Sequence, residues 1–325
     1  MIQWDRFTSE ILNFHKQGLR ASEISNELIT KHPEIHFPSG TDRRVREIIH
    51  RFKISPEETN RNNGGKVLVY DIETHPIKTF TWSMWPDSIN NDMIVHDWGI
   101  LSWSAKWLFE DEIMHDKLTQ SELESVVYHD ELKDQRVSKS IWSLIDEADV
   151  IIHHNGDKFD IQKLNSKWFE YGITPPSPYQ SIDTLKHARK KLKGLTSRRL
   201  DFIAQKLELD GKMETPKGMW MKIMKEADYE SMEHLVRYCD QDVRLLEAVY
   251  LKMRPWISPH PNMALTSISD DGCCPVCTST ERKDLGTPYR TYSHEYASYS
   301  CLSCGSNYKG RKAISMSPPF IHMPR

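Results

Sequence analysis

From Lys66 to Trp256 the hydrophobic pattern alternates between two periods. "KVLVYDIE" is a run of β-branched and apolar residues and predicts a strand. "KTFTWSMW" and "IVHDWGILSWSAKWL", enriched in aromatic and β-branched residues, predict further strands, and "DVIIHHN" a short buried one. "SIWSLIDEA" predicts a helix, and "FDIQKLNSKWFEYG" one closed by Gly172. "RRLDFIAQKLEL" and "SMEHLVRYCDQDVRLLEAVYLKM" carry apolar residues at helical spacing. Strands followed by helices imply an α/β class: a mixed sheet with helices packed on it.

Residues 1–58 read as helices. Ile11, Phe14 and Leu19 give the first an apolar side, and Ile24 and Leu28 the second. The third opens on Thr41, an expected N-cap, and spaces Val45, Ile48, Ile49 and Phe52 helically. Three short helices with a basic last one (Arg43, Arg44, Arg46, Arg51) resemble a helix-turn-helix unit, although "TKHPEIHFPSG" is long for its turn. The other reading is a small bundle whose arginines are solvated. "SPEETNRNNGG" and the Pro- and Ser-rich "RPWISPHPNMALTSISDDG" read as linkers. The expected domains are therefore 1–58, 66–256 and 270–315.

The chain has 325 residues and a net charge of −3, so any nucleic-acid contact must come from local basic patches. No run approaches the length of a membrane span, and the start has no signal-peptide pattern. The expected setting is the cytoplasm of a bacterial or phage-infected cell, with no membrane partner.

Asp71 and Glu73 end the first predicted strand two residues apart, and so share a face. Two acids this close repel unless a cation sits between them. A lone D-x-E is more often ordinary surface, but two further segments add to it. Asp160 opens the helix after "HNGDKF", and Tyr238 and Asp242, four apart, share a face with Leu235, Leu245, Leu246 and Val249. A buried acid needs a metal or a base. The alternative for Asp242 is a helix-surface acid, like Asp240.

D-x-E after a strand, N-x-x-x-F-D opening a helix and Y-x-x-x-D within a helix resemble, in this order, the three motifs of the DnaQ-like 3′→5′ exonucleases of the ribonuclease H-like superfamily. The tyrosine form is similar to the proofreading domains of family B DNA polymerases and their stand-alone phage-type relatives. The position five before Asp242 is Arg237, so the histidine subclass does not fit. The resemblance spans residues 66–256. It implies a site of Asp71, Glu73, Asp160 and Asp242 holding two Mg²⁺ or Mn²⁺ about 4 Å apart. Asp71 would bridge both ions, and Glu73 and Asp242 would share one. Asp160 would hold the other, Tyr238 would orient the attacking water, and Asn155 would support the site. His153 and His154 are not expected as ligands, since carboxylate-bound Mg²⁺ rarely takes imidazole.

"TLKHARKKLKGLTSRRL" holds no acid, and Lys190, Lys191, Lys193, Arg198 and Arg199, with Arg43 and Arg44, are the candidate phosphate contacts. Cys274, Cys277, Cys301 and Cys304 form C-x2-C-x23-C-x2-C, the pattern of a zinc ribbon with one structural Zn²⁺. Cys273 would give a poorer turn than Cys274. Cys239 reads as a small packed residue. The expected function is metal-dependent 3′→5′ exonucleolytic hydrolysis of DNA, single-stranded or at 3′ ends. An exoribonuclease and a DNA-binding scaffold with a nuclease-like core are the alternatives. Two small modules flanking such a core resemble phage replication or recombination proteins, which makes proteins of that kind the expected partners of the ribbon. The sequence does not indicate an oligomeric state.

Overall fold

The computed structural model describes residues 4–16, 19, 21–38, 41–45, 48, 65–209, 213, 216–265 and 272–316. Arg46, Ile49, Arg51, Phe52 and residues 55–64 of the linker expected over 55–65 lie outside these. The chain forms two compact units, one of Met1–Lys53 with Lys66–Val249 and one of Ile54–Gly65 with Tyr250–Arg325.

In the first unit, α1 (Thr8–Lys16), α2 (Ala21–Lys31) and helical residues 41–45 close a small core of Phe7, Ile11, Ile24, Leu28, Val45 and Ile48. The same unit contains a five-stranded sheet in the order β5-β4-β1-β6-β7. Its strands are β1 (Val67–His75), β4 (Gly99–Trp107), β5 (Met114–Lys117), β6 (Val150–His153) and β7 (Gln180–Asp183). A two-stranded piece, β2 (Lys78–Thr79) with β3 (Ile94–His96), lies off that sheet. β1, β4 and β5 pair antiparallel, whereas β6 and β7 run parallel to β1. The helices are α3 (Gln120–His129), α4 (Gln135–Glu147), α5 (Asp160–Glu170), α6 (Thr184–Lys191), α7 (Leu200–Lys206), α8 (Met219–Glu226) and α9 (Tyr229–Met253). One face of the sheet supplies Leu68, Tyr70 and Ile72 of β1 and Leu101, Trp103 and Ala105 of β4 to the core, where Ile141 and Leu164 pack. This is the mixed α/β architecture expected of a ribonuclease H-like chain.

The elements not anticipated from the sequence include β5, α3, β7 and α8. Two expectations are corrected. "KTFTWSMW" contains only the two-residue β2, and its aromatic residues Phe80, Trp82 and Trp85 are exposed, with no strand or helix over them among the described residues. The Pro-rich stretch after Met253 is not a bare linker, since Ile257 and Met263 are buried and Met263 N–H donates to Pro275 O (2.8 Å).

In the second unit, β8 (Arg282–Asp284), β9 (Tyr289–Arg290), β10 (His294–Cys301) and β11 (Asn307–Met316) form a small antiparallel sheet. Two turns, "CPVC" and "CLSC", bring the four cysteines to one end of it.

Candidate functional site

On β1, Asp71 pairs with Ser104 of β4 and Glu73 with Ser102, followed by a bulge between Glu73 and Thr74. Paired residues of an antiparallel ladder share a face, so two small serines flank the acids and leave room above them. The S-x-S alternation in "ILSWSAKW" is the sequence sign of this, absent from the expectations above. Ser104 Oγ donates to Asp240 Oδ1 (2.7 Å). Asp240 is thus not the free surface acid expected. With Glu233 and Glu247 it forms a row at intervals of seven residues along α9. Glu233 pairs with Lys117 of β5 and Glu247 with the buried Lys106 of β4. These contacts fix the helix on the sheet and direct Tyr238, Cys239 and Asp242 toward β1. Leu235, Val236, Val243 and Leu246 bury beside them.

β1 runs past its last β6 pair, Val69 with Ile152. There the Asp160 carboxylate accepts from the Ile72 backbone N–H, which ties the start of α5 to the strand of the acids. The turn before Asp160 needs Gly156, because a Cβ there would meet the His153 ring at 2.4 Å. Asn155 adopts φ +75°, and its backbone N–H donates to Asp183 Oδ1 (2.9 Å), which also caps α6 through Lys186 N–H (3.1 Å). Asp157 accepts from Ser181 Oγ (2.6 Å) and from Lys186 Nζ (2.7 Å). The sequence reading missed Asp157, Ser181 and Asp183, which hold this turn in place. Their sequence signals were the spare aspartate in "HNGDKFD" and the N-cap aspartate of "SIDTLKHA".

The electrostatics register the convergence. Burial, then Asp160, Glu73 and Asp242 in that order, push the Asp71 carboxyl well above the usual carboxylate range. Burial pushes Asp160 up to about 7. Burial and then the Asp242 carboxylate raise the Tyr238 phenol further, so it stays protonated and its hydroxyl donates to Asp242. Ligand atoms of Asp71, Glu73 and Cys239 lie within 4.8 Å of one another. Asp160 Oδ1 is buried and has no hydrogen-bond partner among the described residues. Mutually repelling carboxylates with an unsatisfied buried oxygen suit a hard divalent cation. His153, Asp157 and Asp183 also cluster within 4.8 Å, but their oxygens are taken by Ser181, Lys186 and backbone N–H groups. His154 bonds Thr184 Oγ1 (2.8 Å) and Arg198 O (3.1 Å).

Of the basic candidates, Arg43, Lys190, Lys191, Lys193 and Arg199 are exposed. Arg199 also pairs with Asp201 (3.3 Å), and Arg198 donates to Lys193 O (2.5 Å). Arg44 is half-buried.

In the second unit, the sulfurs of Cys274, Cys277, Cys301 and Cys304 lie within 4.8 Å of one another. Cys274 and Cys304 are 3.7 Å apart, and Cys277 and Cys301 3.5 Å. Zn–S bonds of about 2.3 Å in a tetrahedron put sulfurs about 3.8 Å apart. Val276 N–H donates to Cys274 Sγ (3.4 Å) and Cys304 N–H to Cys301 Sγ (3.5 Å). Gly305, at φ +77°, turns the chain out of the second knuckle. The four-thiol set fits a closed zinc site; Cys273 lies outside it.

No curated protein matches the sequence. Among solved structures, the family B DNA polymerase from the hyperthermophilic archaeon Pyrobaculum calidifontis is similar at 15% identity and a TM-score of 0.44. The match covers 73% of this chain and 33% of the polymerase, so the chain spans about a third of that protein's length. Residues 114–254 match the RNase_H superfamily family RNase_H_2. That segment includes Asp160, Tyr238 and Asp242 and begins after Asp71 and Glu73. That segment is the part of the chain that resembles the RNase_H superfamily.

Proposed function

We propose that the protein is a metal-dependent 3′→5′ exonuclease that hydrolyses phosphodiester bonds of DNA, in single strands or at 3′ ends. The observation that carries this reading is the arrangement of four carboxylates from three separate elements: Asp71 and Glu73 share one face of β1, Asp160 is tied to that strand through the Ile72 N–H, and Asp242 acts electrostatically on Asp71 from α9. Asp71, Glu73, Asp160 and Asp242 are the residues that would hold two Mg²⁺ or Mn²⁺. When bound, such ions stabilise charge on the attacking and leaving oxygens of a phosphoryl transfer. Tyr238, protonated and bonded to Asp242, is an orienting donor rather than a base. Asn155 shapes the turn that delivers Asp160. Lys190, Lys191, Lys193 and Arg199 offer charge to the strand backbone, with Arg198, Arg43 and Arg44 as lesser contributors. In this reading residues 1–58 are a nucleic-acid-binding module, 66–256 the nuclease and 270–315 a ribbon folded around one Zn²⁺.

The test is incubation of the purified chain with end-labelled single-stranded DNA and RNA in Mg²⁺, Mn²⁺ or EDTA. Stepwise loss of nucleotides from the 3′ end of DNA, abolished by EDTA, is the expected result. Cleavage confined to RNA would make it an exoribonuclease. Binding without hydrolysis in every metal would leave a nucleic-acid-binding scaffold.

A further inference from the structure

Between β1 and β4 the chain makes an excursion whose apolar side chains point outward. β2 and β3 form its stalk, closed by Phe80 N–H to Met93 O (3.0 Å) and Thr79 Oγ1 to Met93 O (2.9 Å). Beyond the stalk, Phe80, Trp82, Met84 and Trp85 are 74%, 95%, 87% and 87% exposed. Single exposed apolar residues need no explanation, but four within residues 80–85, two of them tryptophans, are more than ordinary surface composition gives.

We infer that this loop stacks the bases of a single-stranded nucleic acid whose backbone enters the carboxylate cluster, an inference that rests on the nuclease reading above. Three observations choose this occupant. First, the loop is continuous with the site: it leaves from β1, whose Glu73 lies two residues, about 7 Å, before the strand's end, and it returns into β4 at the His75–Gly99 pair. The root of the loop therefore adjoins the strand that carries Asp71 and Glu73. Second, the charge of the loop does not suit phosphate. Across residues 76–93 Lys78 is the one cation, held by Asp130, and Asp87 and Asp92 are acidic. What the loop offers is aromatic faces, which take any base because every base has a π-face. Third, the cavity of about 180 Å³ beside Trp82, Pro86, Ile89 and Met93 is smaller than the roughly 300 Å³ at which enclosed small-ligand sites begin.

The test compares the binding of a fluorescent oligo(dT) and of an abasic strand of equal length, in EDTA, by anisotropy. The wild-type chain should prefer the strand with bases by about tenfold or more. Trp82→Ala with Trp85→Ala should remove that preference, leaving affinity for the abasic strand and the melting temperature unchanged. Trp82→Phe with Trp85→Phe, which keeps flat rings, should restore most of it. Equal wild-type binding of both strands, or an alanine variant that retains the preference, overturns the inference. So does a change from dimer to monomer in the alanine variant on sedimentation, which would make the loop a contact between copies. Binding in EDTA needs no hydrolysis, so failure of the exonuclease assay would sink the function above without deciding this comparison.

Discussion

The sulfur of Cys239 lies 3.6 Å from the carbonyl oxygen of Asp71 and 3.8 Å from its carboxylate Oδ2. Helix α9 thus touches β1 at the residue on which the other acids act. Cys239 is fully buried there, so its volume sets the gap between helix and strand. Cys239→Ala should cost about 1 kcal/mol, the worth of one small buried group, and should leave hydrolysis within a few-fold of wild type. Cys239→Leu should cost about 1–3 kcal/mol by overpacking. It should also lower turnover by about a hundredfold, because it moves Asp71. Urea melts and turnover of both variants check this. A leucine variant at full rate would mean that the position of Asp71 tolerates the shift.

The carboxylate cluster makes a prediction about pH. Asp160 has a pKa of about 7 in the folded chain against 3.8 for a free aspartate, and Asp71 is also raised. Between those values the folded state holds more protons than the unfolded one, so stability falls as pH rises. Metal-free protein should melt highest near pH 4 and lose stability toward pH 7. For Asp160 alone the slope should be at most about 1.4 kcal/mol per pH unit. Asp160→Asn should flatten that slope, and Asp71→Ala, which relieves repulsion, should raise the melting temperature in EDTA while abolishing hydrolysis. Melting scans in EDTA across this range decide it; a wild-type melting point that climbs from pH 4 to pH 7 would contradict the buried cluster.

Lys106 and Glu247 are both largely buried and hydrogen-bonded to each other. Glu247→Ala strands the ammonium of Lys106 and should destabilise the chain by about 3–5 kcal/mol. Replacing both partners, as Lys106→Met with Glu247→Leu, should recover most of that loss. Denaturant midpoints of the single and double variants measure it, and a double variant no better than the single would show that the pair's surroundings cannot repack.

The residues of the site were legible in the sequence where one local period governed them. Period two put Asp71 and Glu73 on one face, and helical spacing put Tyr238 and Asp242 on one face. Relations across elements were not legible. Nothing local distinguishes Asp240 from a solvated acid, because its partner Ser104 sits on a strand far away in sequence. Likewise "FTWSMW" has strand composition but no neighbouring strand to pair with, and only the assembled sheet reveals that. The capping box of α3, Thr119 with Glu122, was a readable signal that the sequence reading overlooked.

In the second unit the expectation concerns zinc. Purified protein should contain about one zinc per chain, since four thiolates at these separations leave no open position. Cys301→Ser should lose the ion, and the ribbon should unfold with it, because its packed core consists of Cys274, Cys301 and Cys304 with Val276, Cys277 and Tyr308. Elemental analysis and limited proteolysis read both effects. Zinc retained by a chain cut after residue 265 would place the ion elsewhere.

Tyr238 separates catalysis from metal binding. Its ring is largely buried, with Trp220 edge-on at 6.4 Å, and its hydroxyl donates to Asp242 one turn further along α9. Burial and the adjacent carboxylates keep it a phenol, so it has no charge with which to hold a metal. Tyr238→Phe preserves the ring and its packing and deletes one hydrogen bond. Turnover should fall by roughly one to three orders of magnitude, the range for losing a positioned orienting group. The Mn²⁺ concentration giving half-maximal rate should stay nearly constant, because the carboxylates are intact. Asp242→Asn removes a ligand charge and should shift that concentration upward as well as slow the reaction. Rate against Mn²⁺ for the two variants therefore distinguishes a residue that orients from one that binds. Wild-type turnover in Tyr238→Phe would reduce the tyrosine to a packing residue, and the role given to it here would fall.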